Sequence, residues 1–172
     1  MARPGAAVGR ADEDQTREEE EAVNLLHWVS LAAALSLAQS TDAGLLRELH
    51  EKVMRAHRLS DVELLLKDES ADYVVANRGE ISRPTLQERR ERLGPYLRST
   101  VFEEYRDLTD PVVKVSGDGT LGWVIVQVEA RGSQTNAEGG KTPLEFVSAW
   151  IELYEKRDGR WLRVGNVSNF KP

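Results

Sequence analysis

Apolar positions along the chain change their period part-way. From residue 41 they fall at helical spacing: Leu45, Leu46, Leu49, Val53 and Ala56 mark one stripe of a helix that Thr41 or Asp42 can cap and that runs to about Arg58. Ser60 then opens Ser-x-x-Glu with Glu63, a capping-box pattern for a second short helix through Val62, Leu65 and Leu66. Residues 72–77 have strand character and are closed by Arg78-Gly79. A third helix is predicted to open at Thr85, with Glu88 three positions on and Pro84 just ahead, and to stop at Gly94-Pro95. Beyond it the chain turns to β. Residues 101–107 and 112–115 predict short strands, a Gly117-Asp118-Gly119 turn leads into 121–130, and the polar run 132–143 predicts a loop. Residues 143–172 carry the strongest pattern, two long strands around Asp158-Gly159, a dipeptide that favours a two-residue hairpin turn. Helices followed by a meandering antiparallel sheet make an α+β plan, with the helices on one side of a curved sheet and a pocket between the layers.

Alternation divides the strands into faces. On one, Val124, Val126 and Val128 oppose Trp123, Ile125, Gln127 and Glu129; on the next, Val147, Ala149, Ile151 and Leu153 oppose Phe146, Ser148, Trp150, Glu152 and Tyr154. The aliphatic faces are expected under the helices. The aromatic-polar faces, with Trp123, Gln127, Trp150, Glu152 and Tyr154, are then expected to form a dimer surface, while the inverse arrangement would line a ligand pocket with them. On the last strand Leu162, Val164, Asn166, Ser168 and Phe170 alternate together, placing Asn166 and Ser168 near the pocket mouth, where Tyr73 and Asn77 join them. Arg78 is available to a ligand carboxylate or to Glu80.

Composition narrows the chemistry. The chain has no cysteine, which excludes disulfides, thiolate metal sites and cysteine nucleophiles. Of the net charge of -6, residues 1–42 hold eight acids and three bases, leaving 21 acids and 20 bases in the rest. The folded part is thus near neutral and has no general attraction for nucleic acid. Arg89, Arg90 and Arg92 alternate with Glu88 and Glu91 as a solvated helix face would.

Residues 1–22 have the composition of a disordered acidic extension. Residues 25–38 contain no Asp, Glu, Lys or Arg, a length typical of a signal-peptide core and too short to span a bilayer. Ser36-Leu37-Ala38 supplies small residues for cleavage before Gln39. Translation starting at Val23 would make the preceding residues a start-site artefact, although only His27 then precedes or enters the apolar run as a basic group. Residues 23–40 are accordingly a leader for export or an apolar helix of a cytoplasmic protein, and 41–172 form the folded domain.

Ser60-Asp61-Val62, Tyr73-Val74-Val75, Ser116-Gly117-Asp118-Gly119 and the closing Tyr-x-Lys-x-Asp-Gly-x-Trp (Tyr154, Lys156, Asp158, Gly159, Trp161) resemble the nuclear-transport-factor-2-like superfamily in its SnoaL-like bacterial branch. The resemblance spans about Leu45 to Phe170. It implies a cone-shaped α+β fold, three N-terminal helices packed on a curved antiparallel sheet that encloses a pocket, and a homodimer through the sheet. It does not imply one activity. Aligned through Asp61, the oxyanion-donating tyrosine of ketosteroid isomerases falls near Val53 and their aspartate base at Ala76 or Asn77, so that chemistry is absent.

His57, at the end of the first helix, is the candidate acid or base. His50 lies seven positions earlier, roughly 10 Å along the axis, too far to share a metal ion with it, and no metal or cofactor is expected. Three functions remain open: a binder of a small apolar or carboxylate-bearing ligand, a lyase, isomerase or hydrolase using His57, and a non-catalytic dimerisation scaffold.

Overall fold

A computed structural model describes residues 41–170. The acidic extension and the apolar leader expected over 1–40 lie outside the described residues. The chain divides into two units, Met1–Ser40 and Thr41–Pro172, and the second is described below. Its elements are α1 (residues 41–58), α2 (Val62–Leu66), β1 (Glu69–Asn77), β2 (Glu80–Ser82), α3 (Leu86–Ser99), β3 (Thr100–Asp107), β4 (Val112–Val115), β5 (Leu121–Thr135), β6 (Lys141–Arg157) and β7 (Arg160–Phe170). The strands form one curved sheet in the order β2-β1-β7-β6-β5-β3, with β4 also paired to β5.

The sheet is mixed, not antiparallel as the sequence led us to expect. β1 and β7 run parallel, with Val75 opposite Asn166 and Asn77 opposite Ser168. Parallel neighbours need a long connection, and here it is everything between them. The third helix follows the β1–β2 hairpin and so does not precede the sheet as a block with α1 and α2.

Local chemistry explains the helix boundaries. Ser60 does not cap α2. It takes a left-handed conformation (φ 53°) and closes α1, its N–H donating to His57 O while the Asp61 N–H reaches Ala56 O. The cap falls to Asp61, whose carboxylate accepts from Leu64 N at 2.9 Å. At α3 the capping box of Thr85 and Glu88 forms as the spacing predicts. The helix nonetheless continues through Gly94-Pro95 to Ser99. Leu97 beyond the proline is fully buried in a cluster with Val53, Ala56 and Leu65, and that burial outweighs the missing backbone bond.

The stripe of α1 is offset from the predicted one. Leu46, His50, Val53, Met54 and Ala56 are buried while Leu45 is exposed. Asp42 sits inside the helix, and its carboxylate accepts from Lys156 Nζ at 2.7 Å and Trp161 Nε1 at 2.9 Å, tying α1 to the β6–β7 hairpin. That hairpin turns through Asp158 (φ 50°) and Gly159 (φ 75°), both left-handed as a type I′ turn requires. The predicted loop over 132–143 is mostly strand, because β5 and β6 stay paired from Leu121–Glu155 out to Thr135–Lys141. Gly132 permits this: a Cβ there would lie 2.0 Å from Val101 O on β3.

The strand faces depart from expectation on β6. β5 does turn Val124, Val126 and Val128 inward. Their partners in register are Glu152, Trp150 and Ser148, so the aromatic-polar face of β6 is the inner one and its aliphatic face the outer. A β-bulge then breaks the alternation of β7. Leu153 pairs with Gly165 but Tyr154 with Arg163, so Trp161 and Arg163 point inward before the bulge and Asn166 and Ser168 after it.

Candidate ligand-binding site

A cavity of about 280 Å³ opens between α1, α3 and the inner face of the sheet. α1 contributes Val53 and His57, the helical step bringing both to its inner side. α3 contributes Arg89, Leu93 and Tyr96, spaced as one helix face, with Arg92 beside them. β1 supplies Tyr73, Val75 and Asn77; β6 supplies Phe146, Ser148, Trp150 and Glu152; β7 supplies Arg163, Asn166 and Ser168. Each strand set shares a pleat face, the β7 set by way of its bulge.

Two charged arrays form the wall. In the first, Glu152 is completely buried. Its Oε1 accepts from His50 Nδ1 at 3.1 Å and Trp150 Nε1 at 3.0 Å, and its Oε2 from Tyr154 OH at 2.6 Å. On its other side His50 Nε2 meets Asp107 at 3.1 Å. Burial works against a charge on His50, but the flanking carboxylates of Glu152 and Asp107 outweigh it and raise its pKa. Burial likewise opposes ionisation of Glu152, yet His50 and the other donors hold it down at about 2.

In the second array Arg89 grips Glu69 through Nε (2.5 Å) and Nη2 (2.6 Å), while Arg163 Nη2 donates to the same carboxylate at 2.5 Å and to Leu65 O at 3.1 Å. The Arg89 guanidinium also lies 3.9 Å from the Tyr73 ring centroid. Burial raises the Tyr73 hydroxyl pKa, so that residue is neutral in ordinary solution.

His57 is the neutral counterpart of His50. Its Nδ1 lies 2.8 Å from Val53 O and donates to it, which leaves Nε2 unprotonated. The ring stacks on Tyr105 at 4.5 Å with 8° between planes. Burial, assisted by nearby Arg163 and Arg58, depresses its pKa to about 4.

The sequence-predicted residues are distributed as follows. His57, Tyr73, Asn77, Trp150, Glu152, Asn166 and Ser168 line the cavity. Tyr154 is buried on the same face beneath Glu152. Trp123 and Gln127 lie on the outer face of β5, and Arg78 is exposed at the left-handed tip of the β1–β2 hairpin (φ 52°). Asn166 Nδ2 donates to Ile151 O at 3.4 Å, and Ser148 to Asn169 O at 2.8 Å. Asn77 Oδ1 is buried with no partner among the described residues. The charge pattern did not reveal Glu69, Arg89 and Arg163. Arg89 is buried rather than part of a solvated face, although Arg90 does pair outward with Glu63 at 2.6 Å. Its spacing to Leu93 and Tyr96 was the available signal. Among the described residues no His, Cys, Asp and Glu group is arranged to hold a metal ion.

No protein-family model matches the chain, and no curated protein sequence does. Solved structures do. A type 2 hexachlorocyclohexane dehydrochlorinase superposes with a TM-score of 0.63 at 15% identity, covering 80% of this chain and 90% of that one. A nuclear-transport-factor-2-like protein from Cytophaga hutchinsonii gives 0.57 at 15% identity over 74% and 97%. The chain has the nuclear-transport-factor-2-like fold. A ketosteroid isomerase-like protein from Erwinia carotovora atroseptica agrees, at 0.56 and 16% identity over 73% and 93%. Of Val53, Ala76 and Asn77, the positions the sequence suggested for an isomerase donor and base, Val53 and Asn77 line the cavity and Ala76 does not, and none of the three carries a hydroxyl or a titratable group.

Proposed function

We propose that the domain binds a small organic molecule in the cavity between α1, α3 and the inner sheet face. The observation that carries this is a cavity of about 280 Å³, near the lower end of small-molecule sites, whose partly aromatic lining includes Asn77, its Oδ1 without a partner among the described residues. Similarity in fold to a dehydrochlorinase named for a small apolar compound supports the same class of occupant. Binding is favoured over turnover by the state of the titratable groups. His57, with a pKa of about 4, and Glu152, at about 2 and saturated with donors, are both poor proton acceptors near neutral pH. Native mass spectrometry of protein purified from its own host tests this: a stoichiometric small mass is expected on the wild type and not on Val75→Trp, which fills the cavity. A folded wild type that carries no added mass and takes up no compound from a fragment set would overturn the proposal.

A homodimer through the outer face of the sheet is a second proposal. Val112, Ile125, Ile151 and Val167 stand in register across β4, β5, β6 and β7, and Trp123 and Leu153 pair beside them. Val112, Ile125, Leu153 and Val167 are exposed, a row of apolar side chains that a second copy would cover. Ile151→Lys is expected to convert a dimer to a monomer in sedimentation velocity; a monomeric wild type refutes it.

Export remains a proposal resting on the apolar run at 25–38, and N-terminal sequencing from the native host decides it. A mature chain beginning at Gln39 is expected, and an intact cytosolic chain refutes it. No helix among the described residues is long and apolar enough to cross a membrane.

A further inference from the structure

We propose that the cavity takes a monocarboxylate, anchored on the guanidinium pair of Arg89 and Arg163. This rests on the small-molecule reading above and narrows it to a chemical class. Two arginines share one carboxylate here. Glu69, whose side chain is fully buried, spends both oxygens on Arg89 and Arg163, and both guanidiniums are buried and line the cavity. The cluster therefore holds one positive charge more than it can neutralise internally. Such an excess is costly away from water and attracts an anion. Arg92 adds a second cation to the lining and makes no ion pair among the described residues.

Glu152, on the neighbouring strand β6 of the same inner face, acts on the charge of Arg163 from a distance but makes no ion pair with it among the described residues. Glu152 is the carboxylate that reaches the cavity, and His50, Trp150 and Tyr154 already occupy it. The remaining negative charge near that array belongs to Asp107, which lies behind His50 and does not line the cavity. Donors are still open for a ligand: among the described residues no bond engages Arg89 Nη1, and Arg163 bonds through Nη2 alone. A planar carboxylate matches such guanidinium forks, whereas a phosphate dianion would exceed the single charge to be balanced. Tyr96, Phe146 and Trp150 provide flat apolar surface for an aryl or unsaturated body. Asn77 adds a neutral polar side chain to the same lining.

The test uses the Trp150 indole N–H resonance of ¹⁵N-labelled protein, titrated with 4-hydroxybenzoate, 4-hydroxybenzamide and toluene. The carboxylate is expected to shift this resonance and to bind at least about ten-fold more tightly than its isosteric amide, a preference typical of charge-assisted bonds. Arg89→Gln is expected to stay folded, because Glu69 and Arg163 remain as a one-to-one pair, and to lose the preference for the acid. Glu69→Gln leaves two guanidiniums unbalanced, and its melting temperature is expected to rise more with 4-hydroxybenzoate than that of the wild type. Equal binding of acid and amide, or binding of toluene alone, overturns the carboxylate inference and leaves the small-molecule reading standing. If none of the three compounds shifts Trp150, the carboxylate inference fails, and the small-molecule reading is decided separately by native mass and the fragment set. Should Arg89→Gln not fold, the acid–amide comparison on the wild type still decides.

Discussion

Replacing His50 with glutamine removes a charge from between two carboxylates without leaving a hole. The side chain is 2% exposed, and its partners Glu152 and Asp107 are 0% and 21% exposed, so solvent screens the interaction little. Breaking a buried ion pair from one side costs about 3–5 kcal/mol. Trp150 and Tyr154 still donate to Glu152 in the variant, which places the cost near about 3 kcal/mol, or a fall in melting temperature of roughly 10 °C. The pH dependence has a definite sign. The folded-state pKa of His50 is raised above 6.5, so its contribution is complete below 6.5 and is lost as pH rises through the raised value. Glu152 is depressed from 4.5 to about 2, so its contribution is present above 4.5 and is lost as pH falls toward 2. Urea unfolding of wild type and His50→Gln at pH 6 and pH 9 follows the first of these, and unfolding of the wild type between pH 5 and pH 2 follows the second. The difference between the proteins is expected to be large at pH 6 and to shrink, if it changes, only toward alkaline pH. A difference under about 1 kcal/mol at pH 6, the range of exposed pairs, or one that grows as pH rises, would refute the assignment of His50 as a buried imidazolium.

Two further substitutions examine the frame around the cavity. Gly132→Ala puts a Cβ 2.0 Å from the Val101 carbonyl, a backbone atom that can yield only if β3 and β5 separate, so a loss of about 3 kcal/mol is expected by urea denaturation; a loss under about 1 kcal/mol would show that the strands slide apart freely. Asp61→Ala is expected to cost about 1 kcal/mol and Ser60→Ala less than half that, since Asp61 makes the 2.9 Å cap bond while Ser60 Oγ reaches Thr100 O only at 3.3 Å. The reverse order in chemical denaturation would return the cap to Ser60.

Turn chemistry was legible in the sequence because it is local. Asp158-Gly159 gave the closing hairpin, and Thr85 with Glu88 gave the start of α3. The end of α3 was not legible, since whether Pro95 stops the helix depends on where Leu97 packs. Ser60 and Asp61 were exchanged for a similar reason: two adjacent helices compete for one junction, and the exit of α1 took the serine. The cavity wall was half legible. Tyr73, Asn77, Asn166 and Ser168 followed from alternation on β1 and β7, and Trp150 and Glu152 were recognised as a set whose direction stayed open. Arg89, Arg163 and Glu69 escaped because charged residues are normally solvated. Only three-dimensional proximity shows that Glu69 holds both arginines.

The bulge on β7 amounts to one residue, Val164, standing outside the ladder between Arg163 and Gly165. Its effect is that of a frameshift in side-chain orientation. Upstream of it odd-numbered residues enter the interior, downstream even-numbered ones do, and a single strand thereby delivers a buried cation and two neutral polar groups to the same wall. Deleting Val164 would remove the bulge and leave Asn166 opposite Glu152 and Ser168 opposite Trp150, both still inward, whereas pairing Val164 regularly with Leu153 would bring Gly165, Val167 and Asn169 to the inner surface instead. A scaffold with such a joint absorbs one inserted or deleted residue at the bulge while the same side chains go on forming the wall. Two chains of this fold can then share a backbone while residue-by-residue alignment pairs the lining of one with the exterior of the other.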